Sequence, residues 1–115
     1  MKNNIHLIID GLSYQFDMVD NPTTQHLMKL FPVTIEMNDF HQNEKVGTLG
    51  ESLPTQAKPY QKIQAGDVML YGNDALVIFY KTFKSGYSYT RLGRIHGDMT
   101  ELNHRGSIQV RLELN

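Results

Sequence analysis

Ala75-Leu76-Val77-Ile78-Phe79-Tyr80 runs six residues without a charged or small polar member, directly after the turn-forming Gly72-Asn73-Asp74. The run is too short for a buried helix. It carries β-branched and aromatic residues and shows no polar alternation, which is the pattern of a strand covered on both faces. It therefore predicts the centre of the core. Immediately upstream, Gly66-Asp67 turns into Val68-Met69-Leu70-Tyr71, a second short strand.

The flanking segments extend the β pattern in both directions. Downstream, 82–90 is rich in aromatics, Ser and Gly and reads as an exposed loop. Leu92 to Ile95 is a short strand, Gly97-Asp98 caps a single turn ending near Leu102, and Ile108, Val110, Leu112 and Leu114 alternate with Gln109, Arg111 and Glu113 as a terminal strand. Upstream, Gly50 to Gly66 holds two prolines and few apolar residues and reads as a long surface loop. Lys45 to Leu49 is a short strand. Val33, Ile35 and Met37 alternate with polar residues and run into a polar turn over Asn38 to Glu44. Asp20-Asn21-Pro22-Thr23-Thr24 opens a helix, with an Asp or Asn side chain to cap its exposed N–H groups and Pro22 preset for the first turn, and Leu27, Leu30 and Phe31 share its apolar face up to Pro32. Finally, Asp10-Gly11 joins Ile5-Leu7-Ile9 to Leu12-Tyr14-Phe16-Met18 as a tight hairpin. Seven or eight short strands with one helix give an antiparallel barrel or sandwich.

All of this fits one domain over residues 1–115, a length that buries enough surface to fold without metal or crosslink. A formal charge of -1 sets aside a nucleic-acid backbone and an anionic membrane as partners. The chain has no cysteine, which removes thiol nucleophiles, disulfides, thiolate zinc and cysteine-held iron–sulfur clusters. Met1 to Asp10 lacks a secretory pattern and no apolar stretch is long enough to span a membrane, so a cytoplasmic protein is expected, as a monomer or small homo-oligomer. Neither G-x-S-x-G, G-x-x-x-x-G-K nor G-x-G-x-x-G occurs. His41 and Glu44 lie three apart in a turn, but a metal needs three converging ligands, which His96 or His104 could complete only through folding. No metal and no cofactor are assigned.

Four stretches in order carry a family resemblance: Asp20-Asn21-Pro22-Thr23, Asn43-Glu44-Lys45-Val46-Gly47, Ala65-Gly66-Asp67-Val68, and Phe79-Tyr80-Lys81 followed by Leu92-Gly93-Arg94-Ile95-His96-Gly97. Nearly the whole chain resembles a family of bacterial and archaeal proteins of uncharacterised function with a cyclophilin-like fold. The resemblance implies a mainly β, closed, antiparallel eight-stranded barrel with one short helix capping an end. It does not imply prolyl isomerase activity, because the F-H-R, F-M-x-Q-G-G-D and G-S-Q-F-F patterns of true cyclophilins are missing. Rotation about a peptide bond has a barrier of about 18–20 kcal/mol. Lowering it at proline would need a donor aimed at the prolyl nitrogen, here only Arg91 or Arg94.

The densest local enrichment is aromatic: Tyr71, Phe79, Tyr80, Phe83, Tyr87 and Tyr89. These residues either fill the core or line a groove whose rings bury a ligand and whose hydroxyls orient it. The functional expectation is a small molecule or short peptide bound between this aromatic loop and the Gly50 to Gly66 loop. Phe79, Tyr80 and Phe83 would be the apolar walls, Tyr89 a hydroxyl partner, and Arg91 and Glu44 the charged contacts. In the resemblance Glu44 faces the barrel mouth; by composition alone Glu44-Lys45 is a solvated pair. Arg91 and Arg94, three apart on a strand, should point to opposite sides, and Arg91 beside the aromatic loop is the one assigned to the groove. A weak prolyl isomerase and a protein–protein interaction module are the alternatives, and no catalytic residue is assigned.

Overall fold

The computed structural model describes residues 5–104 and 106–114. The part of the N-terminal reading that rests on residues 1–4, and the His104 imidazole, lie outside the described residues. Strands β1 (Ile5–Ile9) and β2 (Leu12–Met18) form the opening hairpin. Asp10 and Gly11 both take positive φ, 48° and 88°, the combination a two-residue turn needs to match strand twist. Helix α1 (Pro22–Met28) starts at a reciprocal cap. The Thr24 N–H donates to the Asn21 carboxamide at 2.8 Å, and the Asn21 N–H donates to the Thr24 hydroxyl at 3.0 Å. The helix ends earlier than the apolar spacing predicts. The Leu30 and Phe31 N–H groups bond to carbonyls three residues back, and this tightened turn, not a helical face, lays both side chains against the core.

The remaining strands are β3 (Val33–Phe40), β4 (Glu44–Thr48), β5 (Lys58–Pro59), β6 (Lys62–Ile63), β7 (Asp67–Tyr71), β8 (Ala75–Phe79), β9 (Phe83–Lys84), β10 (Ser88–His96) and β11 (Ser107–Leu114), with a 3-10 turn over Thr100–His104. The polar turn expected over Asn38 to Glu44 shrinks to three residues, because β3 runs on to Phe40 in register with β4. The Gly50 to Gly66 segment is not structureless. It buries Leu53 and Ile63, pairs β5 with β10, and pairs β6 with β9.

Eight strands pair antiparallel in the order β2-β1-β11-β3-β4-β8-β7-β10, and β10 pairs back onto β2, which closes the barrel. At that seam Gly93 lies opposite Met18, and a Cβ on it would meet the Asp17 carbonyl oxygen at 2.3 Å and the Phe16 ring at 2.8 Å. Only a residue without a side chain lets the two strands meet.

Alternation along β8 explains why its sequence lacks polar residues. Leu76 and Ile78, with the following Tyr80, point into the barrel and pack with Leu7, Met37, Val110 and their neighbours. Val77 and Phe79 point outward into a second, smaller cluster with Ile63, Met69 and Tyr89. This cluster lies beneath the short β6–β9 ribbon. One end of the barrel is closed by α1, whose Leu27 is fully buried, and by Leu53; the Thr23 hydroxyl donates to the Pro54 carbonyl. Met99 and Leu102, leading into and within the 3-10 turn, close the other end. No helix among the described residues is long and apolar enough to cross a membrane.

Candidate functional site

A cavity of about 440 Å³ opens on the outer face of the barrel, beside the second cluster. Three segments build it. The β3–β4 hairpin contributes Phe40, His41, Asn43, Glu44 and Val46; the β7–β8 hairpin contributes Tyr71 and Val77; and the segment from Phe83 to Tyr89 forms the far wall. The floor is a chain of touching rings. Tyr87 meets Tyr71 at 6.0 Å between centroids, Tyr71 meets Tyr89 at 5.8 Å, Tyr89 meets Phe79 at 5.4 Å and Phe79 meets Phe83 at 5.6 Å. These tilted and edge-on arrangements are the geometries that aromatic pairs favour. His41 and Gln42 hold the turn with φ of 55° and 56°, conformations that cost residues other than glycine some strain. The Asp39 carboxylate, accepting the Gln42 N–H at 3.0 Å, helps to fix that turn.

Glu44 is the buried carboxyl of the wall, with 8% of its surface exposed. Among the described residues no donor reaches its carboxyl. Burial, reinforced by the negative charge of Asp39, pushes its pKa up to about 7 from 4.5. The Tyr89 phenol is also held above its ordinary range, chiefly by burial and then by the charge of Glu44 and its phenol neighbours, against a weak contact with the Ser85 hydroxyl at 3.4 Å.

Of the residues singled out from the sequence, Glu44, Phe83 and Tyr89 come together on this wall. Phe79 lies just beneath it, fully buried, and supports Phe83 and Tyr89. Tyr80 goes elsewhere, because strand alternation turns it away from Phe79 into the barrel, where its hydroxyl donates to Asp39. Arg91 does not line the pocket either. The expectation that Arg91 and Arg94 point to opposite sides fails because the β7–β10 register shifts between Arg91 and Gly93. That bulge absorbs one residue and puts both guanidinium groups on the outer face, 3.9 and 4.0 Å from the same Asp67 oxygen. The other Asp67 oxygen accepts the Gln64 N–H at 2.9 Å. No residue of the Gly50 to Gly66 segment lines the cavity.

Sequence reasoning passed over Lys45. The solvated pair splits in the structure, since neighbouring residues of a strand face opposite ways: Glu44 points out to the pocket and Lys45 points in. The Lys45 side chain is fully buried, with its ammonium 3.1 Å from Asp39 and 3.0 Å from the Gly106 carbonyl. Burial alone would raise the Asp39 pKa, but hydrogen bonds from Tyr80, Lys45 and the Gln42 N–H outweigh it and lower the value. The signal was the parity of Lys45, Gly47 and Leu49. Phe40 was missed for a similar reason, since it was assigned to a turn and not to a strand.

A closed antiparallel barrel of eight strands with one short helix, carrying a cavity on its outer face, defines a cyclophilin-like barrel protein. The family model of the Cyclophilin-like family matches residues 7–113, and the chain belongs to that family. The chain is also similar to the solution structure of a hypothetical protein from Archaeoglobus fulgidus. The TM-score is 0.74 at 14% sequence identity, over 99% of this chain and 95% of that one. At that identity the likeness is one of fold. A comparison with curated proteins finds no match.

Proposed function

We propose that this cyclophilin-like barrel binds a small molecule in the cavity between the β3–β4 turn and the Phe83 to Tyr89 loop. The observation that carries the reading is a concave site of about 440 Å³ with aromatic walls and a single buried carboxyl, the mix of apolar surface and few polar groups typical of ligand pockets. Phe83, Tyr71 and Tyr89 bury the ligand and Glu44 orients it. A small molecule suits the site better than a peptide, because the cavity is a pocket of limited volume and not a groove running along the barrel.

Prolyl isomerisation fits less well. It needs a donor beside the apolar pocket, and both candidate arginines are directed to Asp67 and away from the cavity. A protease-coupled assay on X-Pro peptides should give rates equal to buffer; a rate that falls with Arg91→Ala would restore the enzyme reading.

The test of ligand binding is a fragment panel followed by NMR titration against the wild type, Phe83→Ala, Tyr89→Ala and, as a control outside the site, Arg111→Ala. Fragments that bind the wild type and the control but lose at least about tenfold in the two pocket variants support the reading. Fragments that bind all four proteins equally, or a panel with no binder, overturn it.

A further inference from the structure

Apolar walls alone would accept any apolar molecule of the right size, so the chemistry of the ligand must come from the polar group among them. Glu44 is more than nine-tenths buried, lines the cavity, and receives no hydrogen bond from the described residues. Its carboxyl oxygens are not sealed off but open on the cavity, so an occupant that covers them without a donor strips a carboxylate of water at a cost, whereas one that brings positive charge offsets it. The other charged wall groups, His41 and Lys84, are exposed, and neither forms an ion pair with Glu44. The ring faces around it carry negative potential, which attracts cations and repels anions. Two independent features, the unpaired acid and the aromatic walls, thus favour the same sign of charge.

We propose that the ligand is a small organic cation, an amine or quaternary ammonium carrying an apolar group, with its charge against Glu44 and its body among the rings of Tyr71, Phe83 and Tyr89. This inference rests on the reading of the cavity as a ligand site and adds the class of ligand. The titratable groups that interact with Glu44 are Asp39 from the neighbouring strand, Tyr80 on the barrel side and Tyr89, and the others on the cavity wall are His41 from the turn, Lys84 from β9, Tyr71 and Tyr87. A carboxyl with a pKa of about 7 is mostly protonated at pH 6. A cation selects the ionised form and displaces that proton, so affinity should rise about tenfold between pH 6 and pH 8.

The probes are benzyltrimethylammonium and neopentylbenzene, a neutral molecule of the same shape, with phenylacetate as the anion. Each is titrated into the full chain and followed by tyrosine ring resonances. The cation should bind at least about tenfold more tightly than the neutral probe. In Glu44→Gln, which keeps the side chain's size, that preference and the pH dependence should both collapse while the neutral probe binds as before. His41→Asn should keep both, which separates Glu44 from the imidazole at the rim. Equal binding of the cation and the neutral probe, or tighter binding of phenylacetate, overturns the cation assignment and leaves the pocket reading standing. Failure of all three probes, with hits elsewhere in the fragment panel, also overturns the cation and spares the pocket; failure of the probes and the panel together removes both. A preference that survives Glu44→Gln overturns the role of the carboxyl.

Discussion

The two faces of β8 show two kinds of apolar clustering in one small protein. Ile78 and Val77 are neighbours in the chain and both are essentially inaccessible to water. Ile78 faces a sealed interior to which seven of the eight barrel strands contribute apolar side chains, where deleting atoms leaves a void that the closed sheet cannot collapse. Val77 faces a thin layer covered by a two-residue ribbon and a loop, and one side of that layer is the cavity. Burial alone does not distinguish them; what surrounds each does. The interior is organised for stability, and the outer layer has room for a guest.

The sharpest way to break this contrast is to truncate both residues. Ile78→Ala should cost about 3 to 4 kcal/mol in urea denaturation, and Val77→Ala roughly 1 to 2, because its site is already open to the cavity. Equal losses would mean that the outer layer is as tightly built as the interior. Next in size, Lys45→Met should cost about 3 kcal/mol by leaving Asp39 without its cation, and Lys45→Ala more again because it also leaves a void; a Lys45→Met variant as stable as the wild type would show that the ammonium contributes nothing there.

Glu44 gives a test in pH. Its folded pKa lies above the unfolded value, so the folded state binds more protons between the two, and stability falls as pH rises from about 4.5 to about 7. Glu44→Gln lacks this loss and should exceed the wild type by on the order of 2 to 3 kcal/mol at pH 8, with little difference at pH 4. A constant difference across the range would show that the carboxyl is better solvated than its position implies. The smallest effect is expected of Tyr80→Phe, about 1 kcal/mol, from loss of one hydrogen bond to a carboxylate that Lys45 still satisfies.

Much of the fold was legible. The Asp10-Gly11 turn, the Asn21-Pro22 helix start and the double-faced run at 75–80 each carry local chemistry that permits little else, and all three hold. The extent of β3 and β10 was not legible, because Asn38, Asp39, Ser88 and Arg91 become strand residues through pairing partners distant in the chain. The candidate site was half visible. Its aromatic side stands out as composition, and Glu44 was flagged by resemblance, yet the split of Glu44 from Lys45 and the convergence of Arg91 and Arg94 on Asp67 depend on register and on a bulge.

By itself the sequence determined the kind of elements, their order, and the absence of cysteine chemistry, since these follow from periodicity, turn residues and composition within windows of a few residues. Only the tertiary structure decided that β10 returns to β2 and closes the sheet, and which residues then face each other across it. Strand pairing is a contact between segments far apart in the chain, and a shift of one residue sends every side chain to the opposite face. The pocket depends on such a choice, because the register of β4 against β8 sets Glu44 opposite Phe79 on the outer face and leaves Lys45 within the barrel.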